Sequence, residues 1–197
     1  MTLFRVFLMA FLIDNVVLMR FLALCPFIGM SSDEDKSIGM GLAVCFVTLI
    51  ATAVTWPIYR FILYPRLVFL QILVFILVIA SLVQLVEYFL KKMVPGLYKS
   101  MGIYLALITT NCAILAVTLD VVNNASPFTG VPYTFIESLV YALGASLGVM
   151  LSMLLLAGIR RRLRTSPIPA FLKGTPALFL ATALLSIAFM GFKGLVQ

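Results

Sequence analysis

The stretch Phe21-Leu22-Ala23-Leu24-Cys25-Pro26 decides how this chain folds. It sets a cysteine and a proline at the end of an apolar run that begins at Leu3. A second interruption, Leu105-Ala106-Leu107-Ile108-Thr109-Thr110-Asn111-Cys112, falls in the opening apolar run of the other half of the chain. Breaks at corresponding positions of two halves are the sequence pattern of a site near the middle of a membrane. Thiolates are unusual ligands for a solute and natural ones for iron.

Of the 197 residues, 63% are hydrophobic and 11% charged, and the mean hydropathy is +1.19. Soluble domains run nearer half apolar and a quarter charged. Composition therefore assigns the chain to lipid and leaves no room for a separate soluble domain. The net charge of +7 sits in short loops between apolar runs, which is the positive-inside pattern rather than a nucleic-acid surface. The chain has no histidine, which excludes histidine-ligated haem, a Rieske centre and the usual zinc sites. Its three cysteines make no disulfide framework, so a metal here must be held by sulfur or oxygen. The first apolar run lacks a small-residue cleavage site and is expected to be retained rather than removed as a signal peptide.

Six apolar runs, at residues 3–24, 38–59, 67–90, 101–122, 135–159 and 171–195, each approach the roughly 20 residues that cross a hydrocarbon layer. The loops on one side hold nine Lys and Arg, Arg160, Arg161, Arg162 and Arg164 among them, against four on the other. That excess places the richer side in the cytoplasm and both termini outward. The arginine run itself reads as an anchor against anionic lipid. Six runs divide into three and three, and an odd number per unit inverts the second copy. The expected fold is an all-α membrane protein of two inverted three-helix repeats, residues 1–95 and 96–197, with the first and fourth helices interrupted. Leu-Ala-Leu recurs at 22–24 and 105–107, and the second runs share small residues, Gly39, Gly41 and Ala43 against Gly144, Ala145, Ser146 and Gly148. Such residues let helices approach closely, so Gly144 and Gly148 read as a packing motif.

Depth is the difficulty for Cys25. Cys112 lies eleven residues past Met101, about 17 Å along a helix, near mid-membrane. A straight helix from Leu3 would carry Cys25 about 33 Å, to the far surface. Pro26 is expected to end the helix at Cys25, leaving a half-helix over 15–24, an extended segment over 26–30 and a tilted or peripheral segment over 2–13. Unwound backbone at that depth must be buried in protein, so a second subunit is expected to cover both breaks. Two thiolates fill half of the four ligand positions of a [2Fe–2S] cluster, and a partner must then supply the rest.

Cys45 reads as a packing residue. Composition leaves Cys25 and Cys112 open to the same reading, and their matched placement beside Pro26 and Asn111 separates them from it. Ionisable residues inside spans are functional candidates, here Asp14, Arg20, Glu87, Asp120 and Glu137. Asp120 and Glu137 fall near predicted ends and are expected at the interface. Arg20 either snorkels or balances negative charge at the cysteines, and Glu87, on a face with Gln84, is expected to hydrogen-bond a neighbouring helix. Thr109, Thr110 and Asn111 can satisfy freed backbone groups or donate to sulfur. A rival reading is a small-molecule or cation permease on the same inverted repeat, with Asn15, Asn111 and Glu87 at its site. No glycine-rich phosphate loop follows a strand, and no nucleophile–base pair stands out.

Leu24-Cys25-Pro26-Phe27-Ile28-Gly29, Ile108-Thr109-Thr110-Asn111-Cys112-Ala113-Ile114 and Ala188-Phe189-Met190-Gly191-Phe192-Lys193-Gly194-Leu195 resemble the A subunits of Rnf electron-transport complexes. More distantly, the chain is similar to the E subunits of sodium-translocating NADH:quinone oxidoreductases. The resemblance runs from Phe7 to Val196. It implies a bacterial inner-membrane subunit paired with a homologous six-helix subunit of opposite topology, with Cys25 and Cys112 as ligands of a shared [2Fe–2S] centre. It also implies a relay between a ferredoxin-like subunit on the cytoplasmic side and flavin-bearing subunits outside, coupled to ion movement. Such a subunit turns over no substrate alone. Arg20 stands where a lysine is more usual in that family.

Overall fold

Every described element is helical. The computed structural model describes residues 2–30, 34–63, 68–93, 111–123, 133–165 and 174–191. α1 (Thr2–Leu8) runs into a π-turn at Met9–Ile13, followed by α2 (Val16–Arg20) and α3 (Leu24–Met30). α4 (Glu34–Ile58) ends in a π-turn at Tyr59–Leu63, and α5 spans Gln71–Met93. α6 (Cys112–Asn123), α7 (Phe135–Thr165) and α8 (Thr175–Met190) complete the chain. Three helical stretches, Ser37–Phe61, Gln71–Tyr88 and Phe135–Leu163, are long and apolar enough to cross a membrane. Leu3–Ile13, Cys112–Asn123 and Thr175–Met190 are shorter apolar helices. These six stretches correspond one to one to the six runs read from the sequence. The first part of the fourth run, 101–110, lies outside the described residues.

α4 and α7 form the centre. Met40, Val44, Val47 and Ala51 on α4 and Ala142, Ala145, Val149 and Met153 on α7 are all buried in one apolar cluster. Removing such side chains from lipid gains little by the hydrophobic effect, so close packing must hold the pair. A Cβ on Gly41 would come within 2.6 Å of Met150 Cγ, which is how closely the two helices meet. The buried hydroxyls of Thr48, Thr52 and Thr55 donate to the carbonyls of Val44, Thr48 and Ala51 at 2.6, 2.8 and 2.7 Å. α4 thereby carries three threonines in its interior with every hydroxyl satisfied.

Of the two placements expected for the N-terminal segment, tilted or peripheral, the peripheral one is not found. It lies along α7 in the trough left by the glycines. A Cβ on Gly144 would stand 2.8 Å from Phe7 O, and one on Gly148 2.8 Å from Phe11 O. Backbone meets backbone there, which is what small residues at four-residue spacing permit. α7 starts at a cap in which the Thr134 N–H donates to Glu137 Oε2 at 3.0 Å, placing Glu137 at a helix end as expected. At about 46 Å for its 31 residues, α7 outruns the hydrocarbon layer, and its last turns carry Arg160, Arg161 and Arg162. The outer face of α5 is apolar and exposed at Ile72, Leu73, Ile76 and Leu77.

Candidate functional site

The first apolar run breaks twice before it reaches Cys25. At the first break Asn15 adopts an extended conformation and caps α2, its Oδ1 accepting from the Val17 and Leu18 N–H groups at 3.1 and 3.4 Å. Its Nδ2 donates to Gly148 O at 2.9 Å, and the whole residue is buried. At the second break Phe21 and Ala23 take left-handed conformations, with φ of 53° and 60°. For residues other than glycine each such conformation costs on the order of 1–3 kcal/mol and persists only where the surroundings hold it. Those surroundings are visible. The Phe21 N–H donates to Val16 O, and the Ser186 hydroxyl on α8 donates to Leu18 O at 2.5 Å. The Ala23 N–H donates to Cys112 Sγ at 2.9 Å.

Pro26 therefore has a different role from the one expected of it. The Phe27 N–H donates to Ala23 O at 3.2 Å, so α3 starts just after Ala23 and Pro26 lies in its first turn. The first N–H groups of a helix have no partner within it, and a proline there forfeits nothing. Residues 26–30 are helical rather than extended, and the break lies upstream of the cysteine. Cys25 is the second residue of α3 and is exposed.

Cys112 opens α6. Asn111, itself buried, caps that helix by accepting the Ala113 N–H at 3.0 Å on Oδ1. Cys112 thus stands at the N-terminus of a 12-residue helix. Asn111 Nδ2 is buried with no hydrogen-bond partner among the described residues. The Ala23–Cys112 bond brings the two cysteine-bearing segments together, because Cys25 follows Ala23 by two residues. Among the described residues no group of three or more Cys, Asp or Glu is arranged to hold a metal ion. Of the two cysteines near this junction, Cys25 is exposed and Cys112 half-buried.

The remaining candidates fall elsewhere. Cys45 lies between α4 and α7 and accepts from Ser146 Oγ at 3.2 Å, a packing position. Asp120, in the last turns of α6, is only 9% exposed, and Arg20 reaches across to it, at 2.6 Å from its Oδ2. Arg20 also pairs with Asp14 at 3.2 Å, so two carboxylates hold its guanidinium. The Tyr141 hydroxyl donates to Asp14 Oδ2 at 2.9 Å. Burial, then the Asp14, Asp120 and Glu137 carboxylates, push the Tyr133 phenol up to about 12, so it is neutral at physiological pH. Glu87 is half-buried and Gln84 exposed, and the expected helix–helix bond is not formed among the described residues. Sequence reading missed Tyr141 and Ser186, which carry no local signal. The cap at Asn15 had one, an Asn directly before an apolar helical run.

The family described as Rnf-Nqr subunit, membrane protein, matches residues 3–196. The chain is 47% identical over 188 residues to the A subunit of the ion-translocating oxidoreductase complex of Syntrophotalea carbinolica, covering 95% of this chain and 94% of that one. It is 46% identical over 196 residues to the A subunit of the Na(+)-translocating ferredoxin:NAD(+) oxidoreductase complex of Acetobacterium woodii, covering 99% and 98%. Against the A subunit of the ion-translocating oxidoreductase complex of an Azoarcus species the identity is 50% over 187 residues, covering 94% and 93%. With matches that run almost from end to end, this chain belongs to the Rnf-Nqr family of membrane subunits.

Proposed function

We propose that this chain is the A-type subunit of an ion-translocating ferredoxin:NAD oxidoreductase in a bacterial inner membrane. In this reading it relays electrons across the membrane through a [2Fe–2S] centre held by Cys25 and Cys112 together with two cysteines of a homologous subunit of opposite topology. The observation that carries the reading is the 2.9 Å bond from the Ala23 N–H to Cys112 Sγ, which joins the two cysteine segments from opposite halves of the chain. Exposure of Cys25 and Phe21 beside non-helical backbone supports a partner that covers this face, because lipid cannot satisfy such backbone.

When bound, the centre supplies one-electron chemistry. The chain's own residues supply its setting. The Ala23 N–H and the N-terminus of α6 stabilise negative charge on the Cys112 sulfur, and N–H donors to ligating sulfur raise a reduction potential. Asn111 Nδ2 offers a further donor. Asn15 and Ser186 hold the broken helix so that this geometry does not depend on the metal. The arginine-rich end of α7 faces the cytoplasm and the ferredoxin-like subunit, and flavin-bearing subunits lie on the other side with both termini.

The test is iron, acid-labile sulfide and electron paramagnetic resonance on purified complexes carrying Cys25→Ala, Cys112→Ala or Cys45→Ser. Wild type and Cys45→Ser should keep the centre and electron transfer, and each alanine variant should lose both. Equal iron content in all four would overturn the proposal. The permease reading is disfavoured by Asn15, whose amide is fully buried and bonded at both ends, to Val17, Leu18 and Gly148. Solute flux through this chain without iron or partners would reinstate it.

A further inference from the structure

Two ion pairs run through Arg20, one to Asp14 in its own half of the chain and one to Asp120 in the other. One guanidinium nitrogen donates to Asp120 Oδ1 at 2.8 Å, and the other lies 3.3 and 3.2 Å from the two oxygens of Asp14. Asp14 stands at the first break and Asp120 on α6, eight residues beyond Cys112. The same two segments are tied a second time, at the sulfur, by the Ala23 N–H. The two ties are three residues apart on the first segment and about two helical turns apart on the second. Two fixed points are enough to set how α6 slides and turns against the break. Arg20 suits this task because its planar fork addresses two carboxylates at once, which a lysine ammonium does less well.

We infer that Arg20 is a positioning residue for the cysteine site: through Asp120 it holds α6 in the register at which Cys112 Sγ accepts the Ala23 N–H. Loss of that N–H would leave the sulfur less stabilised when negative and lower the potential of a centre bound there. This second step rests on the relay proposed above. A purely through-space effect of charge gives a different pattern. Removing the Arg20 cation would lower the potential, whereas removing the Asp120 anion would raise it. Positioning predicts the same sign for both, because either substitution breaks the same tie.

The experiment compares purified complexes carrying Arg20→Gln, Asp120→Asn, both together, and Arg20→Lys. Iron content, the midpoint potential of the centre, and amide hydrogen exchange over residues 21–25 are read for each. Iron content should stay at the wild-type level. Both single variants should move the potential downward, and the double variant should move it no further than either. Exchange at the Ala23 amide should quicken by about tenfold or more in the two single variants, and Arg20→Lys should recover part of both changes. Opposite shifts in the two single variants, cancellation in the double, or unchanged exchange would overturn the inference. If Arg20→Gln fails to assemble, Arg20→Lys and Asp120→Asn carry the same comparison. A wild-type complex without iron would sink the relay, while faster exchange in the variants would still uphold the positioning role. Normal iron with unchanged exchange and potential would do the reverse.

Discussion

Asn15 has both ends of its amide bonded, to a helix start two and three residues away and to a carbonyl 133 residues away. Asn15→Ala removes the cap and leaves Gly148 O without its donor, a combined loss of about 1–3 kcal/mol. A lower unfolding temperature of the detergent-solubilised complex would show it, and Asn15→Ser, which keeps a capping oxygen, should lose less. The cap was legible from the order of residues, since an Asn before an apolar run is a helix-start signal. The tie to Gly148 was not, because no local pattern points that far along the chain. Arg20 follows the same rule. Its charge inside a span marked it for a function, but its partner 100 residues on became evident only once the two halves were packed together.

At the scale of elements, the glycines of α7 give the sharpest contrast. A methyl group on Gly148 would meet the Phe11 backbone oxygen at 2.8 Å, whereas one on Gly158 meets nothing within 4 Å. Gly148→Ala should cost about 1–3 kcal/mol, because a backbone cannot step aside as a side chain does. Gly158→Ala should be neutral or stabilise by up to about 1 kcal/mol. Thermal unfolding and the yield of assembled complex compare the two directly. Pro26→Ala is expected to change stability by less than about 1 kcal/mol, since the proline sits where the helix needs no N–H. Retained iron in that variant would confirm that the proline does not make the break. The small-residue spacing made the packing role of α7 readable in advance. The location of the break was not readable, because Phe21 and Ala23 turn left-handed without the glycine or asparagine that normally announces such a turn. Tertiary bonds hold them there, and Pro26 drew attention to the wrong residue.

At the scale of the molecule, hydropathy alone located the apolar helices seen among the described residues, since length and composition are what lipid selects. It could not show that the first would fold back against α7, because apolar periodicity does not say which neighbour a helix prefers. The excess of arginine at the end of α7 makes a further prediction. In a Cys45→Ser background, a Thr165→Cys variant should react with a membrane-impermeant maleimide in inverted vesicles and not in intact spheroplasts. Labelling from the outer side would reverse the orientation.

The exposed turn at Phe21 and Cys25 has a consequence for the life of the protein before it is assembled. On the pairing proposed above, a newly inserted copy shows lipid an irregular stretch that its partner subunit would shelter, so solitude is itself a defect the cell can detect. Synthesis of this chain without its companions should yield a short-lived product, cleared by membrane proteolysis, and matched production of both chains should lengthen its lifetime.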